Sequence, residues 1–379
     1  MDFELTDEQI EIRKLARDFA KKEIIPVAAE YDRTAEMPWP IINKAFDIGM
    51  CNLTIPEEYG GQGLDHFTEC LVFEEIAYGC LGVFGAFGGT ALAITPILIA
   101  ATEEQKKRFL PSFTESAKLA AFALTEPNAG SDASAVKTVA KKVGNDYVLE
   151  GTKCFITHGG IADIYVVFAS TDRSKGLKGL SAFIVPADSP GIKMGKKEDK
   201  MGDRASHIGE VIIEELKVPA ENLLGKEGDG FKIAMKTLDR TRPTIAAAAV
   251  GVAQRAIDEA VEYSKMRKQF GKAIADNQAI QFMLADMVMA VLASRSLVWQ
   301  SAAKIDAGKP DSMLSATAKC VASDTAMKVT VDALQILGGY GYMKEYPMEK
   351  LMRDAKITQI YEGTNQIQRQ VIASILLKD

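Results

Sequence analysis

Reactive side chains are few and scattered in this 379-residue sequence. The histidines are His66, His158 and His207; the cysteines are Cys51, Cys70, Cys80, Cys154 and Cys320. No cysteine pair has CxxC spacing and no HExxH occurs, so neither a zinc site nor a His-centred triad is expected. An odd, dispersed cysteine set reads as reduced thiols in a cytosolic compartment. Two strips stand out instead. Residues 121–132 (AFALTEPNAGSD) run from apolar side chains into Pro127, Gly130 and a group of hydroxyls and amides. Such a segment can lay backbone N–H groups and hydroxyls against a planar polar ligand, although a surface turn has the same make-up. Residues 353–366 (RDAKITQIYEGTNQ) place Glu362 between bulky Tyr361 and helix-breaking Gly363. That context can hold a carboxylate at a helix break facing a cleft; the alternative is a solvated surface acid.

The elements that must position these strips follow from length and periodicity. The chain is long enough for two or three domains. Its 47% hydrophobic and 25% charged residues match a soluble globular protein. Lys+Arg 45 against Asp+Glu 51 gives a net charge of −6, which argues against a nucleic-acid binder. The opening residues mix Asp2, Glu4, Asp7, Glu8 and Glu11 with apolar side chains, so no export or transit signal is expected and the protein is placed in the cytoplasm. Residues 86–101 are apolar but carry Gly88, Gly89, Thr90 and Pro96. They are read as broken, too short and too polar for membrane insertion.

Helical signals fill the first third. Thr6 and Gln9 form a T-x-x-Q capping box, and Ile12, Leu15, Ala16, Phe19 and Ala20 predict a buried stripe. A helix is predicted from Glu103 to Leu110. Near Lys118 the texture changes to short β-rich runs at 147–150, 153–157, 164–169, 181–185 and 210–214, separated by turn residues. With no helices between them they predict an antiparallel barrel or sandwich. Beyond Gly225 long helical patterns return. Ile280, Met283, Leu284, Met287, Val288 and Val291 share one face, with Asp276 or Asn277 as cap. A further helix runs from Asp311-Ser312 to Gly338-Gly339, and another starts near Pro347 and is interrupted at Gly363. The fold class is α+β multidomain: an N-terminal helical domain (1–118), a middle β-domain (119–226) and a C-terminal four-helix bundle (227–379). No dinucleotide fingerprint is present, because the glycines of 225–230 and 338–341 have the wrong spacing.

Taken together, six motifs in order make the chain resemble the FAD-dependent acyl-CoA dehydrogenases, nearest their short- and medium-chain branch. They are Ile55-Pro-Glu-Glu-Tyr-Gly-Gly61, Leu124-Thr-Glu-Pro-Asn-Ala-Gly-Ser-Asp132, Lys153-Cys-Phe-Ile-Thr157, Arg267-Lys-Gln-Phe-Gly271, Gln335-Ile-Leu-Gly-Gly339 and Ile360-Tyr-Glu-Gly-Thr364. The resemblance covers essentially the whole chain. It implies α,β-dehydrogenation of an acyl-CoA to a trans-2-enoyl-CoA, with electrons passing to electron-transferring flavoprotein, in a homotetramer built as a dimer of dimers.

The same resemblance implies the site. Glu362 matches the base that removes the α-proton. An ordinary Glu, with a pKa near ~4.3, is too weak for that task, so burial must raise its pKa. The Glu362 N–H and a flavin ribityl hydroxyl would hold the thioester oxygen. Some branches carry the base on the helix at position 241; Thr241 here supports Glu362 and weighs against isovaleryl- or long-chain-type enzymes. Phe122, Leu124 and Thr125 match the strip beside the flavin pyrimidine, and Ser131 a position near the pyrophosphate and CoA. Phe155 stands where medium-chain relatives often have Trp. Thr157 matches the donor to flavin N5, and His158 stands where many relatives have Asn. Arg267, Gln269 and Phe270 match contacts to a neighbouring subunit's FAD. Gln278, Gln335 and Gly339 match its adenine side, and Thr364 and Gln366 complete that set. Asp239, Arg242 and Gly363 match substrate contacts. Two rivals use the same fold: an enoyl-CoA reductase running the reaction backwards, and a non-catalytic, flavin-bearing nucleic-acid-binding protein, which the acidic net charge disfavours.

Overall fold

The computed structural model describes residues 4–378. Seven helices come first: α1 Asp7–Phe19, α2 Ala28–Thr34, α3 Trp39–Asp47, α4 His66–Gly79, α5 Leu81–Ala100, α6 Glu103–Phe109 and α7 Ser112–Glu115. The Thr6–Gln9 capping box opens α1 in both directions, and Thr102 with Gln105 does the same for α6. In the expected α1 stripe Ala16, Phe19 and Ala20 are buried, whereas Ile12 is half-buried and Leu15 is 48% exposed. The stripe is therefore narrower than its periodicity suggests.

Helix α5 corrects a sequence expectation. It runs unbroken through Gly88, Gly89, Thr90 and Pro96. Pro96 removes one backbone donor, and the Thr95 hydroxyl donates to the Ala91 carbonyl in that turn (2.8 Å). With a mean hydropathy of 1.9, α5 is long and apolar enough to cross a membrane, yet 61% of its most apolar 18-residue stretch is buried in the protein. Its glycines are points of close approach. A Cβ on Gly82 would lie 2.9 Å from the Ala205 nitrogen, one on Gly85 2.7 Å from the Ser206 Cβ, and one on Gly89 2.4 Å from the Thr157 methyl.

Strands β1 Ala120–Ala123, β2 Val139–Val143, β3 Asp146–Thr157, β4 Ile164–Ser170, β5 Leu180–Pro186, β6 Ile192–Lys197, β7 Ile208–Pro219 and β8 Leu223–Leu224 form one sheet in the order β6-β7-β3-β2-β4-β5-β8. Its pairings are antiparallel except along β4, which takes β1 and one position of β2 in parallel. The two runs expected at 147–150 and 153–157 are a single strand, β3, with register shifts against β7 at Leu149/Gly151 and Lys153/Ile156. Every residue of β4 is buried, because α5 covers one face of the sheet and the sheet's own curl the other.

The C-terminal bundle contains α8 Gly230–Met266, a hairpin of β9 Lys268–Gln269 and β10 Lys272–Ala273, α9 Gln278–Asp306, α10 Ser312–Leu337, α11 Met348–Thr358 and α12 Asn365–Leu376. The expected break at Gly363 separates α11 from α12. Asn277 holds the cap position of α9, but its side chain donates to the Ile274 carbonyl instead of accepting from the helix. On the α9 face, Met287 and Val291 are buried while Val288 is 40% exposed. The N-terminal helices and the bundle share one apolar core.

Candidate active site

The turn between α11 and α12 carries Glu362 at φ 51° and Gly363 at φ 92°, both left-handed. A residue with a Cβ pays roughly 1–2 kcal/mol there, so surrounding bonds must hold it. Gln368, fully buried on α12, donates to the carbonyls of Glu362 (3.1 Å) and Gly363 (2.9 Å). The Lys319 ammonium, from α10, donates to the Gly363 carbonyl (2.8 Å) and to Asn365 Oδ1 (3.0 Å). Asn365 in turn donates to Ser323 (2.9 Å) and Asp324 (2.7 Å). Thr364 caps α12 through the Ile367 N–H, and Gln366 is exposed on that helix.

The Glu362 carboxylate accepts from the Thr241 hydroxyl of α8 at 2.7 Å. Desolvation by burial pushes its pKa up to about 7, against the Thr241 hydrogen bond and the charges of Arg242 and Lys319. A carboxyl tuned there can take or give a proton at neutral pH. Next to Thr241, Arg242 is 3% exposed and pairs with Asp239 at 2.7 Å. Its Nε has no partner among the described residues. Asp239 also accepts from Ser312. The cation expected to meet CoA is thus buried beside Glu362.

A second group lies on the sheet. After β1, the Leu124 carbonyl accepts from Lys153 Nζ (3.1 Å) and the Thr125 carbonyl from the Cys154 N–H (3.0 Å), so the 124–125 strip is strapped to β3. Lys153, with no exposed surface, pairs with Glu126 at 2.8 Å. Glu126 also accepts the N–H groups of Lys137 (2.6 Å) and Thr138 (2.9 Å). At the second register shift of β3, Phe155 adopts φ 56° and its ring is 65% exposed. A bulge turns a side chain out of the alternation in this way. Thr157 is half-buried at the strand end. His158 is buried, with Nδ1 2.9 Å from the Ala120 carbonyl. Burial pushes its pKa down to about 4, so it is a neutral loop hydrogen-bonder. Phe122 rests on Phe168 with ring centroids 4.8 Å apart, and Ser131 is exposed in the turn beyond.

A third group is separate. Arg267, Gln269 and Gly339 line a cavity of about 520 Å³ with Tyr263, Ile274 and Leu337, and no residue around Glu362 takes part. The Arg267 guanidinium sits 5.4 Å from the Tyr340 ring centroid. A Cβ on Gly338 or Gly339 would meet nothing within 4 Å. Phe270, at the hairpin tip, is fully exposed at φ 53°. Gln278 and Gln335 are exposed and lie outside the cavity lining.

These groups fit a flavin dinucleotide. An outward aromatic ring beside a hydroxyl suits an isoalloxazine, and an arginine over an open glycine floor suits a phosphate-linked nucleotide. The sequence reading missed Lys319, Gln368, Asn365 and the Lys153–Glu126 pair. Lys319 did leave a signal: it is the one cation among Ser315, Ala316, Ala322, Ser323 and Ala326, all on one helical face.

Comparison with known proteins agrees with this geometry. The acyl-CoA dehydrogenase N-terminal, middle and C-terminal domain models match residues 6–117, 121–216 and 228–377. The chain is 50% identical to the short-chain-specific acyl-CoA dehydrogenase of Megasphaera elsdenii, with both chains covered in full. It superposes on the butyryl-CoA dehydrogenase structure from the same organism with TM-score 0.97 and 49% identity over all of both chains. A chain solved in work on the electron-transferring flavoprotein of Acidaminococcus fermentans and flavin-based electron bifurcation superposes with TM-score 0.98, 49% identity and full coverage of both. With its helical, β and bundle portions each matched in order, this chain belongs to the acyl-CoA dehydrogenase family and is an FAD-dependent oxidoreductase.

Proposed function

We propose that the protein oxidises short- to medium-chain acyl-CoA thioesters to trans-2-enoyl-CoA, with Glu362 as the base and electron-transferring flavoprotein as acceptor. The observation that carries this is the Glu362 carboxylate, held on a left-handed turn, bonded to Thr241 and pushed to about 7 by burial. Bound FAD supplies the acceptor for the β-hydride. Thr241 occupies Oε2, which leaves Oε1 for the α-proton. The Glu362 N–H has no acceptor among the described residues, so it can donate to the thioester oxygen and stabilise negative charge as the proton leaves. An acyl chain that expels water would strengthen the carboxylate as a base still further.

In this reading Phe122, Leu124, Thr125, Ser131, Phe155 and Thr157 flank the flavin and its pyrophosphate, while Asp239, Arg242 and Gly363 shape the thioester end. Arg267, Gln269, Phe270, Gln278, Gln335, Gly339, Thr364 and Gln366 serve the FAD of a neighbouring subunit in a homotetramer. Support for assembly comes from exposed apolar side chains: Phe282 (60%), Met289 (60%) and Leu292 (54%) on α9, and the bare Phe270 ring at the hairpin tip. The short-chain name of the Megasphaera relative supports the substrate range. The flavoprotein work that yielded the matching Acidaminococcus chain supports the acceptor.

Anaerobic titration of the FAD-loaded protein with saturated acyl-CoAs of graded length tests the reaction and its range together. Bleaching of the flavin band is expected for short and medium chains. Glu362→Gln should bind FAD and acyl-CoA yet fail to bleach; normal bleaching refutes the base. A monomer-sized mass by light scattering overturns the tetramer.

A further inference from the structure

We propose that Lys319 is a positioning residue for the base: its ammonium pins the Gly363 carbonyl and supplies the unneutralised positive charge that keeps the Glu362 carboxylate ionised. The inference rests on the reading of Glu362 as base and extends it to a residue that bonds the turn carrying that base and not its carboxylate.

Two observations carry it. Lys319 has no exposed surface, yet both of its contacts are neutral oxygens, Gly363 O at 2.8 Å and Asn365 Oδ1 at 3.0 Å. Among the described residues it forms no ion pair, in contrast to the buried lysines Lys153 and Lys350, each joined to a carboxylate. A buried cation without an adjacent anion is costly, and a fold that keeps one gains something from the charge. The second observation is how the surrounding charges are spent. From α8, Arg242 is matched by Asp239 at 2.7 Å. From α10, Asp324 is matched by Arg369 at 2.8 Å and also accepts from Gln359 and Asn365. From α11, Asp354 is matched by Lys350 at 2.5 Å, and it and Asp203 lie on the Tyr361 side of the turn. Glu362 itself has only the Thr241 hydroxyl. The lysine without a matching anion thus bonds the carbonyl of the residue that follows the carboxylate without a matching cation, and each bears on the other's ionisation, as Arg242 also does on Glu362.

The bond to Gly363 does a second task. With Gln368, it fixes both carbonyls of the left-handed pair, and so the two peptide planes that follow the Glu362 Cα and anchor its side chain. Charge and geometry can be separated by substitution. Lys319→Gln keeps a donor and removes the charge; Lys319→Leu removes both; Lys319→Arg keeps the charge.

The test titrates the FAD-loaded protein by difference infrared spectroscopy. The protonated-carboxyl band of Glu362 is identified by its loss in Glu362→Gln. In Lys319→Gln and Lys319→Leu the midpoint of that band should move up by about one pH unit. The kcat/KM profile should follow, falling about tenfold at pH 6 and little at pH 9. In Lys319→Arg the midpoint should stay within a few tenths. A uniform loss of kcat/KM at every pH with the infrared midpoint unmoved overturns the proposal and leaves Lys319 as a brace only. So does a midpoint raised in Lys319→Arg as much as in the uncharged variants, which keeps the test decisive if either of those fails to fold. A Glu362→Gln variant that still bleaches with substrate removes the base assignment itself, whatever Lys319 does.

Discussion

Lys153 and Lys319 are both fully buried, and burial pushes both down to about 8, but the molecule uses them differently. Lys153 meets Glu126 at 2.8 Å, and that carboxylate is saturated by two backbone N–H groups and the Thr138 hydroxyl. The pair is a closed brace, tying the 124–126 strip to β3, and its charge is spent locally. Lys319 meets only neutral oxygens, and the anion whose ionisation it supports is Glu362, the proposed base. The difference teaches where electrostatics serves stability and where it serves chemistry. On the sheet side the ion pair is complete; on the base side it is left open.

The sharpest way to break this comparison is to remove each lysine in turn. Lys153→Met strands a buried Glu126 and should cost about 3–5 kcal/mol in chemical denaturation. Adding Glu126→Gln should recover part of that loss; no recovery would mean that the pair is not the source of it.

Glu362→Gln should have the opposite sign. The folded pKa of about 7 lies above the ordinary 4.5, so the fold favours the protonated acid. That stabilisation is complete below pH 4.5 and is lost as pH rises through 7. The neutral amide should therefore unfold at a higher temperature than wild type at pH 8, by up to about 3 kcal/mol in equivalent stability, with the advantage vanishing near pH 4. A gain independent of pH would point away from the charge.

Lys319→Leu should cost less than Lys153→Met, about 1–2 kcal/mol by the same denaturation, since no buried carboxylate is stranded at contact distance. A loss equal to that of Lys153→Met would erase the distinction between the two lysines. The smallest effect is expected for Thr241→Val, which removes one hydrogen bond from Oε2. The infrared midpoint of Glu362 should rise by about half a pH unit, with the melting temperature nearly unchanged.

What the sequence revealed and concealed follows the same physics. Local signals were legible: the Thr6–Gln9 box, the Asp311 cap of α10, and the break at Gly363 each depend on residues a few positions apart. Glu362 stood out as a carboxylate beside a helix-breaking glycine, but its reading as the base came from the resemblance of residues 360–364 to the family's motif. The outward turn of Phe155 was not, because the bulge exists only through the register with β7. Helix α5 looked broken because glycine and proline weaken a helix in isolation, whereas here packing against the sheet and the 203–206 loop sustains it. Lys319 was visible as a cation on an apolar face, but its partners lie more than forty residues downstream, and no local pattern names them.

The close contacts of α5 have a consequence for anyone reshaping this protein by directed evolution. Gly82, Gly85 and Gly89 are each filled from outside the helix, by Ala205, by Ser206 and Asp203, and by Thr157. A side chain added at any of them displaces the 203–206 loop or the end of β3 at Thr157. Gly88 differs: the first atoms a Cβ would meet there belong to the ring of Phe84, on the same helix. Paired changes at 84 and 88 can trade volume within α5, and reach α4 through the Phe73 ring that packs edge-on against Phe84. Of these four glycines, Gly88 is the one where the side chain that must first give way belongs to α5 itself.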